Sequence, residues 1–356
     1  ERFPEIFEYL MKLSIERPIT LFIDEFQEFF KVNKSVYSDM QRIWDMYHTK
    51  AHINLIVCGS IFSMMTKIFK DKKEPLYNRQ TRFMSIKPFT PAVLKEIMAE
   101  YNPNYTSEDL LALYSFTGGV AKYVQLLVDA GATTKTKMLN HIIKADSVFL
   151  GEGKAILIEE FGKDYGVYFS ILSAIARGKT LRSEIEQIVG REIGGYLTKL
   201  EKEYEVITKN QPIFEKSSTK NVRYTIEDNF FTFWFRFIYK YNYMLEIENY
   251  DAVKTIINRD YETFSGKMLE RYFKRVLMES KAYTRIGSWW DRKGENEIDI
   301  VAENELNNEA VFIEVKRKED NFDAIALNEK VDVFTRATGK FKDYDVSQKG
   351  LSMTDM

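Results

Sequence analysis

Leu21-Phe22-Ile23-Asp24-Glu25-Phe26 is an apolar run that ends in two adjacent carboxylates. It follows Arg17-Pro18-Ile19-Thr20, and this pattern predicts a short buried strand of a parallel sheet. Asp24 and Glu25 then lie at the carboxyl end of the strand, where open α/β sheets bind ligands. Two such acids need a cation, a basic partner or water. The alternative is an ordinary strand end with two solvated acids.

A second apolar segment, Ile53-Asn54-Leu55-Ile56-Val57-Cys58, predicts the neighbouring strand. Residues 36–49 have the apolar spacing of a helix packed on the sheet, which completes a βαβ unit. Parallel strands bring their carboxyl ends together, so Ser60 is expected near Asp24 and Glu25. Ser60 also has the residue type and position of an ordinary helix cap.

Composition limits the class of protein. The chain has 356 residues, enough for two or three domains, with 45% hydrophobic and 29% charged residues. Its net charge of -2 provides no general basic field, so any DNA contact must be local. One cysteine fits a reducing cytoplasm, and with three histidines it supplies too few ligands for a Cys/His zinc site. No apolar run approaches a membrane helix.

The next segment presents arginines in a loop. Arg79 and Arg82 precede residues 83–86, which have the pattern of a strand, and Pro88-Phe89 follow. From residue 91 to about residue 130 the spacing predicts three helices, the last two separated by Gly118-Gly119. A single loop arginine is as often a surface residue as a functional one.

These features occur in the order and spacing of the archaeal-type P-loop ATPases, a branch related to AAA+ and STAND proteins, and the chain resembles that family. The resemblance implies a Walker B strand in which Asp24 holds the Mg²⁺ of Mg-ATP and Glu25 orients the attacking water. It implies that Ser60 is the sensor 1 residue and that Arg79 reaches the γ-phosphate. Ala121 departs from the family, which usually has proline there.

The Walker A loop, Gly-x-x-x-x-Gly-Lys-Ser/Thr, is not found in these 356 residues. Gly178-Lys179-Thr180 is the nearest match, but Ser173 replaces its first glycine and residues 168–176 have helical rather than strand spacing. The simplest expectation is a chain whose amino-terminal part is missing, so that residues 1–89 are the distal half of an ATPase core.

A winged-helix pattern follows. Residues 168–177, 182–189 and 191–204 predict three helices, and residues 205–209 and 221–226 predict two strands joined by a lysine-bearing loop. The predicted DNA contacts are Arg182, Arg191, Lys199, Lys216, Lys220 and Arg223. Glutamates on the third helix favour the alternative, in which the element only packs against its neighbours.

Residues 228–239 are the most aromatic segment of the chain. Aromatic side chains on every face of a helix favour full burial between domains over a platform for stacking bases. The segment also resembles the join between the winged helix and the carboxyl-terminal domain in the same ATPase family.

Acids and a lysine form a second pattern near the carboxyl terminus. Residues 261–279 predict an amphipathic helix with Glu270, and strands are predicted around Asp299 and around Glu314 and Lys316. In a β-meander Asp299 would lie beside Glu314, with Lys316 on the same face as Glu314. Such a group suits Mg²⁺ binding and attack by water on a phosphodiester. The alternative is a solvated hairpin with cross-strand ion pairs.

The order of these residues, with Trp289-Trp290 and a helix near residues 322–335, resembles the core of PD-(D/E)XK nucleases, although Ile298 replaces the proline. The resemblance implies that Asp299 and Glu314 are metal ligands, Lys316 the catalytic lysine and Glu270 an accessory acid.

The sequence therefore predicts a multidomain α/β protein with part of a P-loop NTPase parallel sheet, and with ATP and Mg²⁺ as cofactors. The predicted domains are a partial ATPase core (1–89), a helical lid (90–150), a winged helix (151–228), an aromatic helical linker (229–260) and a restriction-endonuclease-like domain (261–356).

The predicted function is ATP binding and hydrolysis coupled to DNA binding and to Mg²⁺-dependent DNA cleavage in the cytoplasm, without a membrane partner. The alternative is a non-cleaving, nucleotide-controlled switch or scaffold that binds DNA or protein. Arg79 could act in its own subunit or in a neighbour's, so a homo-oligomer stays open.

Overall fold

The computed structural model describes residues 2–216 and 218–356. The chain divides into two compact units, each treated separately below. The first contains Glu1–Ile86 and Leu157–Gly162, and the second contains Lys87–Ile156 and Lys163–Met356.

The smaller unit contains a two-stranded parallel sheet and the helices around it. Strands β1 and β2 pair in register from Ile19 opposite Ile53 to Ile23 opposite Val57, as the predicted βαβ unit requires. The elements of this unit, in order, are α1 (Phe3–Glu16), β1 (Ile19–Ile23), α2 (Phe29–Val32), α3 (Ser35–Tyr47), β2 (Ile53–Val57) and α4 (Phe62–Lys70).

Only one face of this sheet is buried. Leu21 and Leu55 pack against the core of the unit, which includes side chains of α1, α3 and α4. On the other face Phe22 is 58% exposed and Ile56 is 42% exposed. The strand was predicted to be buried, and in the structure this holds for one face only, because β1 and β2 alternate between covered and open positions.

Residues 83–86 do not form the predicted strand. Met84 is 65% exposed and Ile86 is 86% exposed. A strand needs a neighbour for its backbone hydrogen bonds, and among the described residues the sheet of this unit contains only β1 and β2.

The larger unit begins with helices. The three helices predicted between residues 91 and 130 are confirmed as α5, α6 and α7. The first elements are α5 (Pro91–Tyr101), α6 (Ser107–Thr117), α7 (Ala121–Asp129), α8 (Lys135–Ile142) and α9 (Val148–Phe161), whose last residues belong to the smaller unit.

Three further helices and a hairpin follow, as the spacing predicted. Strands β3 and β4 are antiparallel, with Ile207 opposite Ile226. The third helix begins later than predicted, so Arg191 lies in the turn after Gly190 rather than on that helix. The elements are α10 (Tyr165–Ala176), α11 (Arg182–Val189), α12 (Gly194–Lys202), β3 (Ile207–Asn210) and β4 (Arg223–Ile226). Because α10 precedes Gly178, the rejection of a P-loop there is confirmed.

The aromatic segment is helical and buried. It forms α13 (Asn229–Phe233) and a π-helix at Trp234–Tyr239. Burial was predicted, and Phe230, Phe233, Trp234, Phe235 and Phe237 are each no more than 3% exposed. Two helices follow, α14 (Asn242–Glu246) and α15 (Tyr250–Ser280), and α15 begins well before the predicted residue 261.

A four-stranded sheet completes the larger unit. Its order is β5-β6-β7-β8; β6 is antiparallel to both β5 and β7, and β8 is parallel to β7. Aromatic and aliphatic side chains of α16 pack on the sheet around Phe334 and Phe312. The elements are β5 (Arg285–Trp290), β6 (Glu297–Asn304), β7 (Glu309–Val315), α16 (Ala324–Thr338) and β8 (Asp345–Leu351).

Within residues 2–216 and 218–356, none of the helices combines the length and the apolar composition needed to cross a bilayer.

Candidate active sites

The acidic pair lies where the sequence predicted it, at the carboxyl end of β1. The backbone N–H of Phe26 donates to the carbonyl of Cys58 over 2.8 Å, which holds this end of β1 beside the end of β2. Glu25 has a φ of 48°, in the left-handed region, so the chain turns sharply between the two acids and Phe26. The turn places the side chains of Asp24 and Glu25 at the surface.

Neighbouring side chains hold both carboxylates in the ionised form. The Cys58 thiol donates to Asp24 Oδ1 over 2.7 Å, and its hydrogen bond lowers the pKa of Asp24. The side-chain amide of Gln27 and the Ser60 hydroxyl, the latter over 2.9 Å, donate to Glu25 Oε2 and lower the pKa of Glu25. An exposed, ionised carboxylate pair fits the coordination preferences of Mg²⁺.

The sequence predicted the proximity of Ser60 to the acids but missed Gln27 and Cys58. Ser60 is not the cap of the following helix, because Ile61 occupies the N-cap position of α4. The Ser60 hydroxyl is directed to Glu25 instead. Gln27 is buried at 1% exposure, and its Oε1 has no hydrogen-bond partner among the described residues. In the sequence, only the position of Gln27 two residues after Glu25 could have indicated that its side chain contacts that acid.

Arg79 makes a two-point ion pair with Asp45. Its Nε and Nη2 donate to the two carboxylate oxygens of Asp45 over 2.9 and 2.8 Å. This pair raises the pKa of Arg79. The guanidinium is thus fixed by a residue of α3, and its role at a γ-phosphate stays a prediction.

The two carboxylates of the second pattern lie on adjacent strands. Strand β6 pairs with β7 from Ile300 opposite Ile313, so Asp299 and Glu314 are the next residues outward. The backbone N–H of Val315 donates to Asp299 Oδ2 over 2.8 Å. Burial raises the pKa of Asp299, and the negative charge of Glu314 raises it further. The hydrogen bond from the Val315 amide acts in the opposite direction. The predicted adjacency is confirmed.

Two lysines converge on one oxygen of Glu314. Lys316 Nζ lies 2.8 Å and Lys330 Nζ 2.9 Å from Glu314 Oε1. Burial alone would raise the pKa of Glu314, but these two hydrogen bonds outweigh it and lower the pKa. The second oxygen, Oε2, is buried and has no hydrogen-bond partner among the described residues. Lys330 was missed from the sequence because it is on α16, 16 residues after Glu314, and only the packing of that helix on the sheet brings the two side chains together.

Glu270 belongs to the same neighbourhood. Burial, followed by the charge of Asp299, raises its pKa to about 7, while Lys267 at 2.9 Å opposes the rise. In the part of the chain that the structure describes, no three His, Cys, Asp or Glu side chains are grouped closely enough to hold a metal ion. The acids that lie together here are Asp299 and Glu314, with Glu270 nearby, and their role as metal ligands stays a prediction.

A cleft of about 880 Å³ opens beside these acids, and Glu270 and Asp299 are among its lining residues. Of the six predicted DNA-binding residues, only Arg223 lines it. The Arg223 guanidinium donates to Glu297 Oε2 over 2.9 Å and lies 4.5 Å from the centre of the Trp290 ring.

The other five predicted DNA contacts are at the surface. Arg182 is ion-paired with Glu186 on its own helix, at 2.7 Å. The remaining four are exposed and form no side-chain ion pair with described residues: Arg191, Lys199, Lys216 and Lys220. Their role in DNA binding stays a prediction.

Two family models match this chain. Residues 2–127 match an ATPase domain predominantly from Archaea. Residues 234–333 match DUF234, described as archaea bacterial proteins of unknown function. The first range contains the Asp24–Glu25 site, and the second contains Glu270, Asp299, Glu314 and Lys316.

Individual proteins also match. The walker-type ATPase PABY2304 of Pyrococcus abyssi aligns with a TM-score of 0.48 and 20% identity over 66% of this chain and 68% of its own. Uncharacterized protein MJ0424 of Methanocaldococcus jannaschii is 34% identical over 56 residues, which are 16% of this chain and 54% of that protein. Uncharacterized protein MJECL04 of the same organism is 33% identical over 314 residues, 84% of this chain and 67% of that protein. The chain therefore belongs to the same family as MJECL04, and it carries an archaeal ATPase domain followed by a DUF234 domain.

Proposed function

We propose that this protein is a Mg²⁺-dependent DNA nuclease, in which Asp299, Glu314 and Lys316 promote the attack of water on a phosphodiester, and that the ATPase domain controls the access of DNA to this site. One observation carries the proposal: each of the two acids has one oxygen held by the protein and one oxygen left over. The protein groups hold Asp299 Oδ2 and Glu314 Oε1. Asp299 Oδ1 and Glu314 Oε2 receive no hydrogen bond from the described residues.

A buried carboxylate oxygen without a partner costs free energy, roughly 1–3 kcal/mol. A divalent cation bound by Asp299 and Glu314 would remove that cost at Glu314 Oε2, and waters or substrate oxygens would complete its shell. When bound, Mg²⁺ would polarise the scissile phosphate and make a bound water more acidic.

The chain's own residues define the rest of the chemistry. Burial alone would lower the pKa of Lys316, but its hydrogen bond to Glu314 outweighs burial and raises it. Lys316 is therefore a cation at neutral pH, and it offsets charge that develops on the phosphate rather than accepting a proton. Asp299 is kept in place by the Val315 amide, so its free oxygen has a fixed direction.

The fold around these residues is consistent with the proposal. Helix α15 carries Glu270, strands β6 and β7 carry the two acids, and α16 packs on the same sheet. This is the order of elements that the resemblance to PD-(D/E)XK nucleases predicted. Helices α10, α11 and α12 with the β3–β4 hairpin have the order of a winged helix, which we propose as part of the DNA-binding region.

For the ATPase domain we propose that Asp24 holds the metal of Mg-ATP and that Glu25 orients the attacking water. The hydrogen bonds from Gln27 and Ser60 fix Glu25 Oε2. The resemblance assigns Ser60 as sensor 1 and Arg79 as the γ-phosphate arginine. ATP hydrolysis would then change the access of DNA to the second site.

The test is a nicking assay on supercoiled plasmid and on branched DNA, with Mg²⁺, with Ca²⁺ and with EDTA. We expect cleavage by the wild type in Mg²⁺ alone, and a loss of at least about 100-fold in Glu314→Gln, which keeps the shape but removes a metal ligand. Equal background cutting by wild type and Glu314→Gln would reject the nuclease.

A second function is favoured by one specific feature: two lysines occupy Glu314 Oε1, and among the described residues no three possible metal ligands are grouped together. Such a site could serve a non-cleaving, nucleotide-controlled switch that binds DNA or protein. DNA binding that persists without nicking in Mg²⁺ would favour this alternative.

A further inference from the structure

The cleft beside the carboxylates is large enough to hold a ligand. Its volume of about 880 Å³ falls within the range of roughly 300–1,000 Å³ typical of ligand sites. Its walls are the β3–β4 hairpin, one face of α15 and the turn that joins β5 to β6. Because Glu270 and Asp299 also line it, a ligand in this cleft would adjoin the proposed cleavage site.

The cleft is cationic although the chain as a whole is not. Eight basic and five acidic side chains line it, whereas the whole chain has a net charge of -2. Two of the acids, Glu270 and Asp299, belong to the carboxylate site, and Glu297 is ion-paired with Arg223. The surplus of positive charge is therefore local, as DNA binding by an acidic protein requires.

Two of these cations are partly withdrawn from water and make no direct ion pair with described residues. Arg236 and Lys274 form no hydrogen bond or ion pair with described residues, and both are half-buried. Burial lowers the pKa of each, and the charges of Asp260 near Arg236 and of Glu227 near Lys274 offset this only in part. The Arg236 guanidinium lies 5.5 and 5.8 Å from the ring centres of Phe237 and Phe264, and these aromatic contacts offset part of the cost of burying its charge. A buried cation normally makes a direct contact with an anion, so the lack of one at Arg236 and Lys274 points to an anionic ligand.

The charges are spread along the cleft rather than focused on one point. Lys267, Arg271 and Lys274 are spaced i, i+4 and i+7 on α15, which puts them on one helical face over about 10 Å. Lys209 is on the opposite hairpin, and Arg292 and Lys293 are on the β5–β6 turn. This distribution suits several phosphates in a row better than a single phosphate group.

A flat cationic surface for a base is also present. The Arg223 guanidinium lies over the Trp290 ring, and Trp290 Nε1 is fixed by a 2.9 Å hydrogen bond to Asn221. Arg223 keeps 24% of its side chain exposed. Guanidinium planes and aromatic rings stack on the open faces of unpaired bases, which a duplex does not offer.

We infer that this cleft binds a short single-stranded segment of DNA and leads it to Asp299. The inference rests on the proposed function, because it assigns single strands, strand ends or branches as the substrate class of that site. An intact duplex can touch only the rim of a cleft of this volume, whereas one strand can enter it with its phosphates and bases.

The test separates binding from cleavage by measuring binding in EDTA. Fluorescence anisotropy follows the whole chain with labelled oligothymidylate of about 15 nucleotides, within the ~4–16 nucleotides of single-strand sites. A duplex of equal length and thymidine monophosphate serve as competitors. We expect the single strand to bind at least about 10-fold more tightly than either competitor.

The cleft variant is Lys209→Gln/Arg292→Gln/Lys293→Gln, which removes three exposed cations that form no ion pair with described residues. The matched control is Lys137→Gln/Lys342→Gln/Lys349→Gln, which removes the same charge from exposed positions outside the cleft lining. The slope of log K against log salt becomes shallower by about 0.7 for each lost phosphate contact on a single strand. The slope of the cleft variant should therefore be shallower than that of the wild type by about 2, and the slope of the control variant should be unchanged.

Equal affinity for duplex and single strand, equal competition by the mononucleotide, or equal slopes in the two variants would each overturn the inference. Single-strand binding that depends on the cleft cations, together with no nicking in Mg²⁺, would reject the nuclease while the binding site stands. Thermal unfolding of both variants checks that the fold is retained.

Discussion

Asp299 Oδ2 accepts a hydrogen bond from the backbone N–H of Val315 over 2.8 Å, across the ends of two adjacent strands. The ladder between β6 and β7 ends at Ile300 and Ile313, so the side chain of Asp299 takes over where backbone pairing stops. The same bond therefore extends the pairing of β6 and β7 at their ends and orients the proposed metal ligand.

Two substitutions of Asp299 separate these roles. Asp299→Asn keeps an acceptor for the Val315 amide and should retain the stability of the wild type, yet it should lose DNA nicking by at least about 100-fold. Asp299→Ala leaves the Val315 amide without a partner and should cost a further 1–3 kcal/mol or so in the free energy of unfolding. Urea unfolding and the nicking assay measure the two effects. Nicking by Asp299→Asn at the wild-type rate would contradict the assignment.

The sequence predicted this pair of acids because strand alternation and a short connection are local properties. It could not predict Lys330, which reaches Glu314 from α16 over 2.9 Å, or Arg223, which reaches Glu297 from β4. Both contacts depend on how separate elements pack, and long side chains of lysine and arginine leave no periodic signal that marks their partner.

The Glu25 site depends on the absence of a side chain at Gly59. A Cβ atom there would lie 2.1 Å from Gln27 Oε1 and 2.7 Å from Met65 Sδ, both of which are on buried residues. We expect Gly59→Ala to lower the free energy of unfolding by about 1–3 kcal/mol, because overpacking forces these side chains to shift. The control is Gly166→Ala on α10, where no atom lies within 4 Å of the added Cβ. Equal effects in the two variants would contradict the close packing.

In the smaller unit the sequence predicted the strands, their pairing and the position of Ser60. It did not predict the open face with Phe22 and Ile56, because an apolar run of this length has the same pattern whether one face or both are covered. In the sequence, Cys58 served only as evidence for a reducing compartment. Its hydrogen bond to Asp24 was not predicted, because that contact depends on the exact register of β1 and β2.

The ion pair of Arg79 with Asp45 allows its two possible roles to be distinguished. Both side chains are partly exposed, so the pair itself contributes at most about 1 kcal/mol to stability. If Arg79 acts on the γ-phosphate, Arg79→Ala in a chain that includes a Walker A loop should lower the ATP hydrolysis rate by roughly 1,000-fold. Asp45→Ala breaks the same pair but keeps the arginine, and it should retain most activity. Equal losses in the two variants would assign Arg79 a structural role.

We expect Asp228 to make the stability of the protein depend on pH. It caps α13 by accepting from the Phe231 amide over 3.2 Å, and burial raises its pKa from 3.8 to about 6. The folded state therefore holds the proton more tightly than the unfolded state, and stability falls as pH rises from about 4 to 6. Asp228→Asn keeps the cap without ionising, so its advantage over the wild type should grow by about 1–3 kcal/mol across that range. Urea unfolding at several pH values measures it, and parallel curves would contradict the raised pKa.

Lys316 and Lys330 form a matched pair for the chemistry at Glu314. Both donate to the same oxygen, over 2.8 and 2.9 Å, from β7's end and from α16. Each of the variants Lys316→Met and Lys330→Met should lower the free energy of unfolding by about 1–2 kcal/mol. Each variant removes one hydrogen bond to the buried, charged Glu314 and keeps the hydrogen bond from the other lysine. Of the two, our proposal assigns the role of catalytic lysine to Lys316 alone. We therefore expect Lys316→Met to lose DNA nicking by at least about 100-fold and Lys330→Met to lose less than about 10-fold. A nicking rate that falls equally in both variants would mean that the lysines serve only to hold Glu314 in place.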